Sequence, residues 1–510
     1  MDGAFTRISS SLRAQDAIGA FAGGPLPHTI LSCCQGALLG MFSTQAVLPL
    51  LATCRDAVAA VAAHPWDDLE TVIHGNVGPT LLPAGPGVQK GAWRGCFPRA
   101  RGASVQGNED WEYTGRRTSV ADADFTHLAG LRRLDVGFCE ITDAAFVHLR
   151  GIEELCMRGC GNITDAAFAH LQGIQSLNMS RCDQRTITDA AFAHLKGIKS
   201  LNMSLCSQPT ITDAAFTHLV GIESLVMIRC CQRTITDEAF ASLAGIKSLN
   251  MTMCFQEGIT DAAFAALAGI QSLNMSGCTQ DTITDAAFSG ISGVQSLNMS
   301  GCSQRTITDG AFAHLQGIQS LDMSRCNQRT ITDAAFVHLA GIKSLNMSRC
   351  DQASITDAAF AHLAGIHSLN MNRCSQITDA AFAHLRGIHS LSMNHCFQRT
   401  ITDAAFVHLA GVTSLKMSGC AQYEITDRAF VPLAGIESLD MSECNQPTIT
   451  DAAFVPLAGI QSLDISRCTQ RTLTGAAFAP LASVQRLCMF GCREERVADA
   501  RAAGLPVLSR

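Results

Sequence analysis

The sequence is short of several things, and each absence narrows the field. No run of roughly 18 or more apolar residues occurs, so no transmembrane helix and no membrane partner are expected. There is no basic excess: 37 Lys and Arg stand against 44 Asp and Glu, a formal net charge of -7 with a pI near 6.1. That removes the overall positive field from which nucleic-acid binding starts, and no nucleic-acid partner is expected. The opening stretch Met1-Asp2-Gly3-Ala4-Phe5-Thr6-Arg7 carries acid early and has no basic region leading into an apolar core, so it does not read as a signal peptide. Gly-x-x-x-x-Gly-Lys-Ser/Thr, Gly-x-Ser-x-Gly and His-Glu-x-x-His do not stand out, and Cys230-Cys231 is an adjacent pair rather than Cys-x-x-Cys. The expectation is a protein that is not an enzyme, with no catalytic residue, cofactor or metal.

What the chain has in abundance is repetition. From about residue 118 to residue 492 a segment recurs whose copies include Gly197-Ile198-Lys199-Ser200-Leu201-Asn202-Met203-Ser204-Leu205-Cys206, followed by Ser207-Gln208-Pro209-Thr210-Ile211-Thr212-Asp213-Ala214-Ala215-Phe216-Thr217-His218-Leu219-Val220. Its cysteine returns about sixteen times between Cys139 and Cys492, mostly every 24 residues, as at Cys206, Cys230 and Cys254. A period in this range marks a stacked solenoid.

Within a copy, Ile-x-x-Leu-x-Met-x-x-Cys alternates apolar and polar residues, the pattern of a short half-buried strand. Ile-Thr-Asp-Ala-Ala-Phe-x-His-Leu then places a capping Thr or Asp ahead of apolar residues at helical spacing, which predicts a helix of about two turns. Ile198, Leu201, Met203, Cys206, Ile211, Phe216 and Leu219 are expected to face inward. One copy has too few such groups to form a core, and stacking supplies the missing wall.

The chain has 23 cysteines, but a stack cannot pair the repeated column into disulfides without distorting its ladder. Buried thiols in a reducing compartment, cytoplasmic or nuclear, are expected. Asn-x-Ser/Thr at Asn178, Asn202, Asn250, Asn274, Asn298 and Asn346 falls on strand positions, where glycans would crowd the open face, and this points the same way.

The repeat resembles the leucine-rich repeat, specifically the cysteine-containing type of F-box proteins, with Leu-x-x-Leu-x-Leu-x-x-Cys followed by Ile-Thr-Asp. This copy departs by a shorter unit, Met at the third apolar position, and Gly-Ile where a second cysteine is usual. The resemblance implies an α/β solenoid of the horseshoe kind, with one parallel strand per repeat on a concave face and one helix per repeat outside.

On the open strand face Ser, Asn and Ser recur, as at Ser200, Asn202 and Ser204, either as a surface for a repetitive partner or as a solvated ladder. Exceptions are candidate substrate contacts, drift among duplicated copies being the alternative. Val226 and Ile228 form an apolar patch beside Arg229. One residue before the cysteine stand Arg181, Arg229, Arg325, Arg349, Arg373 and Arg467, while Asp322, Asp440 and Asp464 replace the usual Asn. A histidine column, including His194, His218, His314 and His338, is spaced too widely for one zinc, since neighbouring helices lie roughly 8 to 10 Å apart. The aspartates of Ile-Thr-Asp, such as Asp189 and Asp213, are accounted for by their place at a helix start.

Residues 25–70 carry Pro25-Leu26-Pro27, apolar positions through Leu50 and Leu51, Cys54-Arg55, and Pro65-Trp66, which predicts a small helical module needing support from a neighbour. The same order resembles the F-box. A repeat-only reading makes this segment an N-terminal cap. The F-box resemblance implies adaptor contacts at Leu26, Pro27, Ile30, Leu31, Leu50, Cys54 and Val58, with Trp66 anchoring the module. It further implies the substrate-recognition subunit of a cullin-type ubiquitin ligase, with a Skp-type adaptor, a cullin scaffold and a protein substrate as partners. The alternative is a binding scaffold or inhibitor with a degenerate F-box. Around this, residues 1–24 read as disordered or irregular, 71–117 as a Gly/Pro-rich linker, 118–492 as the solenoid and 493–510 as a C-terminal cap.

Overall fold

From Thr142 to Thr474 each repeat starts its helix at a threonine. In the computed structural model, which describes residues 72–74, 102–104, 121–420 and 422–509, Thr188 is extended and its Oγ1 accepts the amide of Ala190 at 3.2 Å. This satisfies a donor that the first turn leaves without an intrahelical partner. The helix Asp189–Phe192 follows and tightens into the 3-10 turn Ala193–Leu195, so the two expected turns are of two kinds. In three later repeats Pro432, Pro456 and Pro480 take the histidine position, and the whole stretch is 3-10: Asp427–Leu433, Asp451–Leu457 and Gly475–Leu481. At the histidine position of an earlier repeat, the His148 amide donates to the Ala145 carbonyl at 3.3 Å. Proline has no such donor.

The chain divides into two compact units, Met1–Leu219 and Val220–Arg510. In the first, β1 (Val72–His74), β2 (Gly102–Ser104), β3 (Arg133–Asp135), β4 (Glu154–Cys156), β5 (Ser176–Asn178) and β6 (Ser200–Asn202) pair in that order, all parallel. Leu134, Leu155, Leu177 and Leu201 lie in register along them.

The second unit repeats the arrangement with β7 (Ser224–Val226), β8 (Ser248–Asn250), β9 (Ser272–Asn274), β10 (Ser296–Asn298), β11 (Ser320–Asp322), β12 (Ser344–Asn346) and β13 (Ser368–Asn370). It continues through β14 (Ser390–Ser392), β15 (Ser414–Lys416), β16 (Ser438–Asp440), β17 (Ser462–Asp464), β18 (Arg486–Cys488) and β19 (Val507–Leu508).

Ile198, Leu201, Met203, Cys206, Ile211, Phe216 and Leu219 are each at most 1% exposed, as their pattern predicts. The second alanine of Asp-Ala-Ala-Phe is buried too, Ala215 at 0%. Burying a Phe or Leu side chain contributes about 1.5 to 3 kcal/mol, so the apolar columns are the main source of cohesion.

One segment differs from the sequence reading. The stretch 71–117, read as linker, contains β1 and β2, which carry the ladder upstream of β3. Ala103 fills the position that leucine holds elsewhere, opposite Leu134, and is 2% exposed. Gly-Ala-Ser shows none of the repeat's apolar spacing, yet three residues suffice to pair. At the other end, Glu494–Ala502 is a helix and β19 adds to β18. Arg496, 4% exposed, directs its guanidinium to the carbonyls of Cys468 and Gln470, closing backbone acceptors of the repeat before the last. The segment 25–70, with Leu26, Pro27, Ile30, Leu31, Leu50, Cys54, Val58 and Trp66, lies outside the described residues.

Candidate functional site

Several recurring polar groups of the repeat are engaged with the neighbouring repeat. In the first unit Asp189 reaches forward to Thr212: Oδ1 accepts the amide and Oδ2 accepts the hydroxyl, each at 2.7 Å. The Thr212 hydroxyl thus donates to the carboxylate while taking the Ala214 amide. The second unit does the same with Asp309 and Thr332, again at 2.7 Å. The aspartate column therefore caps the next repeat's helix start, rather than only its own as its sequence position implies.

Three further columns join it. Gln328 Nε2 donates to the Cys302 carbonyl at 3.1 Å, the Thr330 hydroxyl to Ile307 at 2.7 Å, and the Cys326 thiol to Met299 at 3.1 Å. The cysteines are thiols throughout the described residues, none in a disulfide, as the column argument requires. Burial pushes the Cys182 thiol up to about 12 and the Cys396 thiol up to about 11, so they act as neutral donors.

The turn after each strand is different. The Asn178 side chain accepts the amide of Ser180 at 3.0 Å, and the Cys182 amide closes the turn on the Met179 carbonyl at 3.1 Å. Between them Arg181 has φ 61°, in the left-handed region where such a turn ordinarily selects glycine. Gly159, Gly277, Gly301, Gly419 and Gly491 hold this position in other repeats. Elsewhere it holds Phe138, Leu205, Arg229, Met253, Arg325, Arg349, Arg373, His395, Glu443 or Arg467, with φ between 55° and 61°. A side chain in this region costs about 1 to 2 kcal/mol relative to its ordinary backbone. The arginines among them are exposed, the others half-buried, and none builds the core.

This is the architecture of a leucine-rich repeat, and comparison with known proteins agrees. The BspA type Leucine rich repeat region (6 copies) matches residues 139–266, 257–389 and 353–485. The chain belongs to that family. No curated protein matches this leucine-rich repeat chain in sequence. Among solved structures it is similar to the Drosophila Toll - Spatzle complex, with 16% identity and a TM-score of 0.54 over 76% of this chain and 54% of that one. It is also similar to the TLR13-ssRNA13 complex, with 18% identity and a TM-score of 0.51 over 77% of this chain and 62% of that one. This chain thus spans between half and two thirds of the length of those two, and the likeness is one of fold.

The candidate contacts of this leucine-rich repeat protein fall into separate groups. Val226 and Ile228 are half-buried at the end of β7 and just beyond it, and Arg229 is exposed on the same turn. Val226 stands where Asn250 of the paired strand supplies a side-chain acceptor to its own turn. Arg325, Arg349 and Arg373 occupy successive turns after β11, β12 and β13.

Asp322, Asp440 and Asp464 are half-buried, and their carboxylates accept the amides of Ser324, Ser442 and Ser466 at 2.9, 3.0 and 2.8 Å. They do the work of the Asn they replace. Asp322 also accepts from Asn346 of the next strand at 2.8 Å. Four strand steps of about 4.8 Å separate β7 from β11, so the Val226 patch and the arginines do not form one site.

The histidine column is half-buried at His194, His218, His314 and His338. Among the described residues no three His, Cys, Asp or Glu side chains come together to hold a metal ion, and no helix is long and apolar enough to cross a membrane. Two features escaped the sequence reading. The glutamine column looked like one more polar loop residue, though its recurrence two places after cysteine was a signal. Phe255 and Phe397, exposed one place after the cysteine, lie beside the left-handed column.

Proposed function

We propose that this leucine-rich repeat protein is a non-enzymatic receptor, acting in the cytoplasm or nucleus, that holds a protein substrate on its strand face and adjoining turns. Residues 25–70 dock on a Skp-type adaptor of a cullin ubiquitin ligase, and other subunits perform ubiquitin transfer. The mechanism is proximity: holding substrate beside the ligase raises its effective concentration without a catalytic group in this chain.

The observation that carries the binding role is the turn column. In an array whose aspartate, threonine and cysteine columns are engaged between repeats, this one varies from copy to copy and, at its arginines, keeps exposed side chains in a conformation that favours glycine. The ligase role is supported by the order of Leu26-Pro27, Cys54-Arg55 and Trp66 ahead of the repeats.

The test is co-purification of the full chain with a Skp-type adaptor, alongside a variant carrying Leu26→Ala, Pro27→Ala and Ile30→Asp. The adaptor accompanies the unaltered chain and is lost from the variant. If no adaptor accompanies the unaltered chain, the ligase role fails, and a repeat-only scaffold or inhibitor is left.

A further inference from the structure

Arg325, Arg349 and Arg373 follow three strands paired in register, Ser320 with Ser344 and Ser344 with Ser368. Each arginine has φ 59° or 60° and is exposed. Their amides belong to the ladder, donating to the carbonyls of Ser348, Asn372 and Asn394 at 2.9, 2.8 and 3.0 Å. The backbone therefore fixes them in a line at the strand spacing, about 4.8 Å per step. Among the described residues none of the three guanidinium groups has an ion-pair partner. Arg467, in the same column, contrasts with them: Glu443 of the preceding repeat pairs with it at 2.7 Å.

Close like charges repel, and each of these arginines also occupies a backbone conformation that Gly277, Gly301 and Gly419 relieve in other repeats. The chain as a whole carries a charge of -7, so a row of three such cations runs against its overall sign. At its far end the His395 ring packs on Phe397 at 5.8 Å, and Phe397 remains 64% exposed.

We propose that Arg325, Arg349 and Arg373 bind a short acidic segment of a partner protein, whose following apolar side chain rests on Phe397. Three arginines span roughly 10 Å, the reach of about three extended residues. Carboxylates on such a segment meet a row of planar donors suited to them. A nucleic-acid strand would extend beyond this short row along a protein whose net charge repels it. The inference deepens the receptor reading by naming the partner's chemistry, and its assay contains no adaptor, so the two fail separately.

The experiment is fluorescence anisotropy of the full chain with a labelled peptide of four glutamates followed by phenylalanine. A glutamine counterpart and a short oligouridine serve as comparisons. The glutamate peptide binds, more weakly as salt rises, and the glutamine peptide does not. The triple variant Arg325→Gly, Arg349→Gly, Arg373→Gly binds at least about tenfold more weakly with a shallower salt dependence, and Phe397→Ser about threefold more weakly.

Glycine already serves this turn at Gly277 and Gly301, so the triple variant keeps the circular dichroism of the parent and a urea midpoint no lower than the parent's. The corresponding triple lysine variant, which keeps the charge and loses the planar forks, binds with an affinity between those of the parent and the glycine variant. The proposal is overturned if the glutamate peptide does not bind the parent, if the glycine variant binds it equally, if the glutamine peptide matches it, or if oligouridine binds more tightly.

Discussion

The helix-start edge of each repeat and the turn that follows its strand obey opposite rules. At the helix start a copy supplies what its neighbour lacks: Asp309 caps Thr332, and Gln328 reaches back to Cys302. A change there has to be matched next door, so the copies stay alike. At the turn, the ladder uses only backbone groups, as when the Arg349 amide meets the Asn372 carbonyl. The Arg349 side chain takes no part in that ladder, and arginine, methionine, histidine, glutamate and glycine all occur at this position. The lesson is that sameness in this array marks stacking, and difference marks the surface available for recognition.

Alkaline unfolding puts the largest strain on that contrast. Burial holds the Cys182 and Cys350 thiols up to about 12 and the Cys396 thiol up to about 11. Between an ordinary thiol value of about 8.5 and those values, the unfolded chain gives up protons that the folded array keeps. Stability is therefore full below the ordinary value and falls as pH rises, by about 1.4 kcal/mol per pH unit for each such cysteine. Urea denaturation under reducing conditions loses its midpoint steeply between about pH 9 and 10. A midpoint unchanged to pH 11 would show that the thiols are not held as the structure has them.

The smallest effect belongs to the other edge and has the opposite sign. Arg349→Gly relieves a φ of 59° and leaves the ladder amide in place. Against this gain, glycine makes the unfolded chain more flexible. The urea midpoint stays level or rises by up to about 1 kcal/mol equivalent. A clear fall would mean that the arginine side chain does hold the stack.

The inward columns were legible because stacking needs the same apolar groups in every copy: Leu201, Met203, Ile211 and Phe216 sit where their spacing puts them. The aspartate was legible as a helix-start residue, but its partner was not, because one copy read alone does not reveal which neighbour faces it. Gln208, 3% exposed and bonded to the Cys182 carbonyl at 3.1 Å, looked like loop polarity for the same reason. The left-handed turn could have been found by noticing glycine at Gly277 and Gly301 in the column where Arg325 and Arg349 stand. β1 and β2 were hidden because ladder pairing asks for little more than backbone, and Gly-Ala-Ser advertises none of the repeat's apolar spacing.

A double-mutant cycle on Asp309→Ala and Thr332→Val within the second unit tests most directly whether the constant columns hold neighbouring repeats together. Each single change also disturbs something else: Asp309 accepts the Thr332 amide as well, and the Thr332 hydroxyl caps Ala334 at 3.2 Å. The cycle removes those contributions and leaves the link between the two side chains. Urea denaturation at pH 7 gives a coupling of about 1 to 2 kcal/mol if the carboxylate and hydroxyl bind across repeats as the structure shows. A coupling indistinguishable from zero would contradict it.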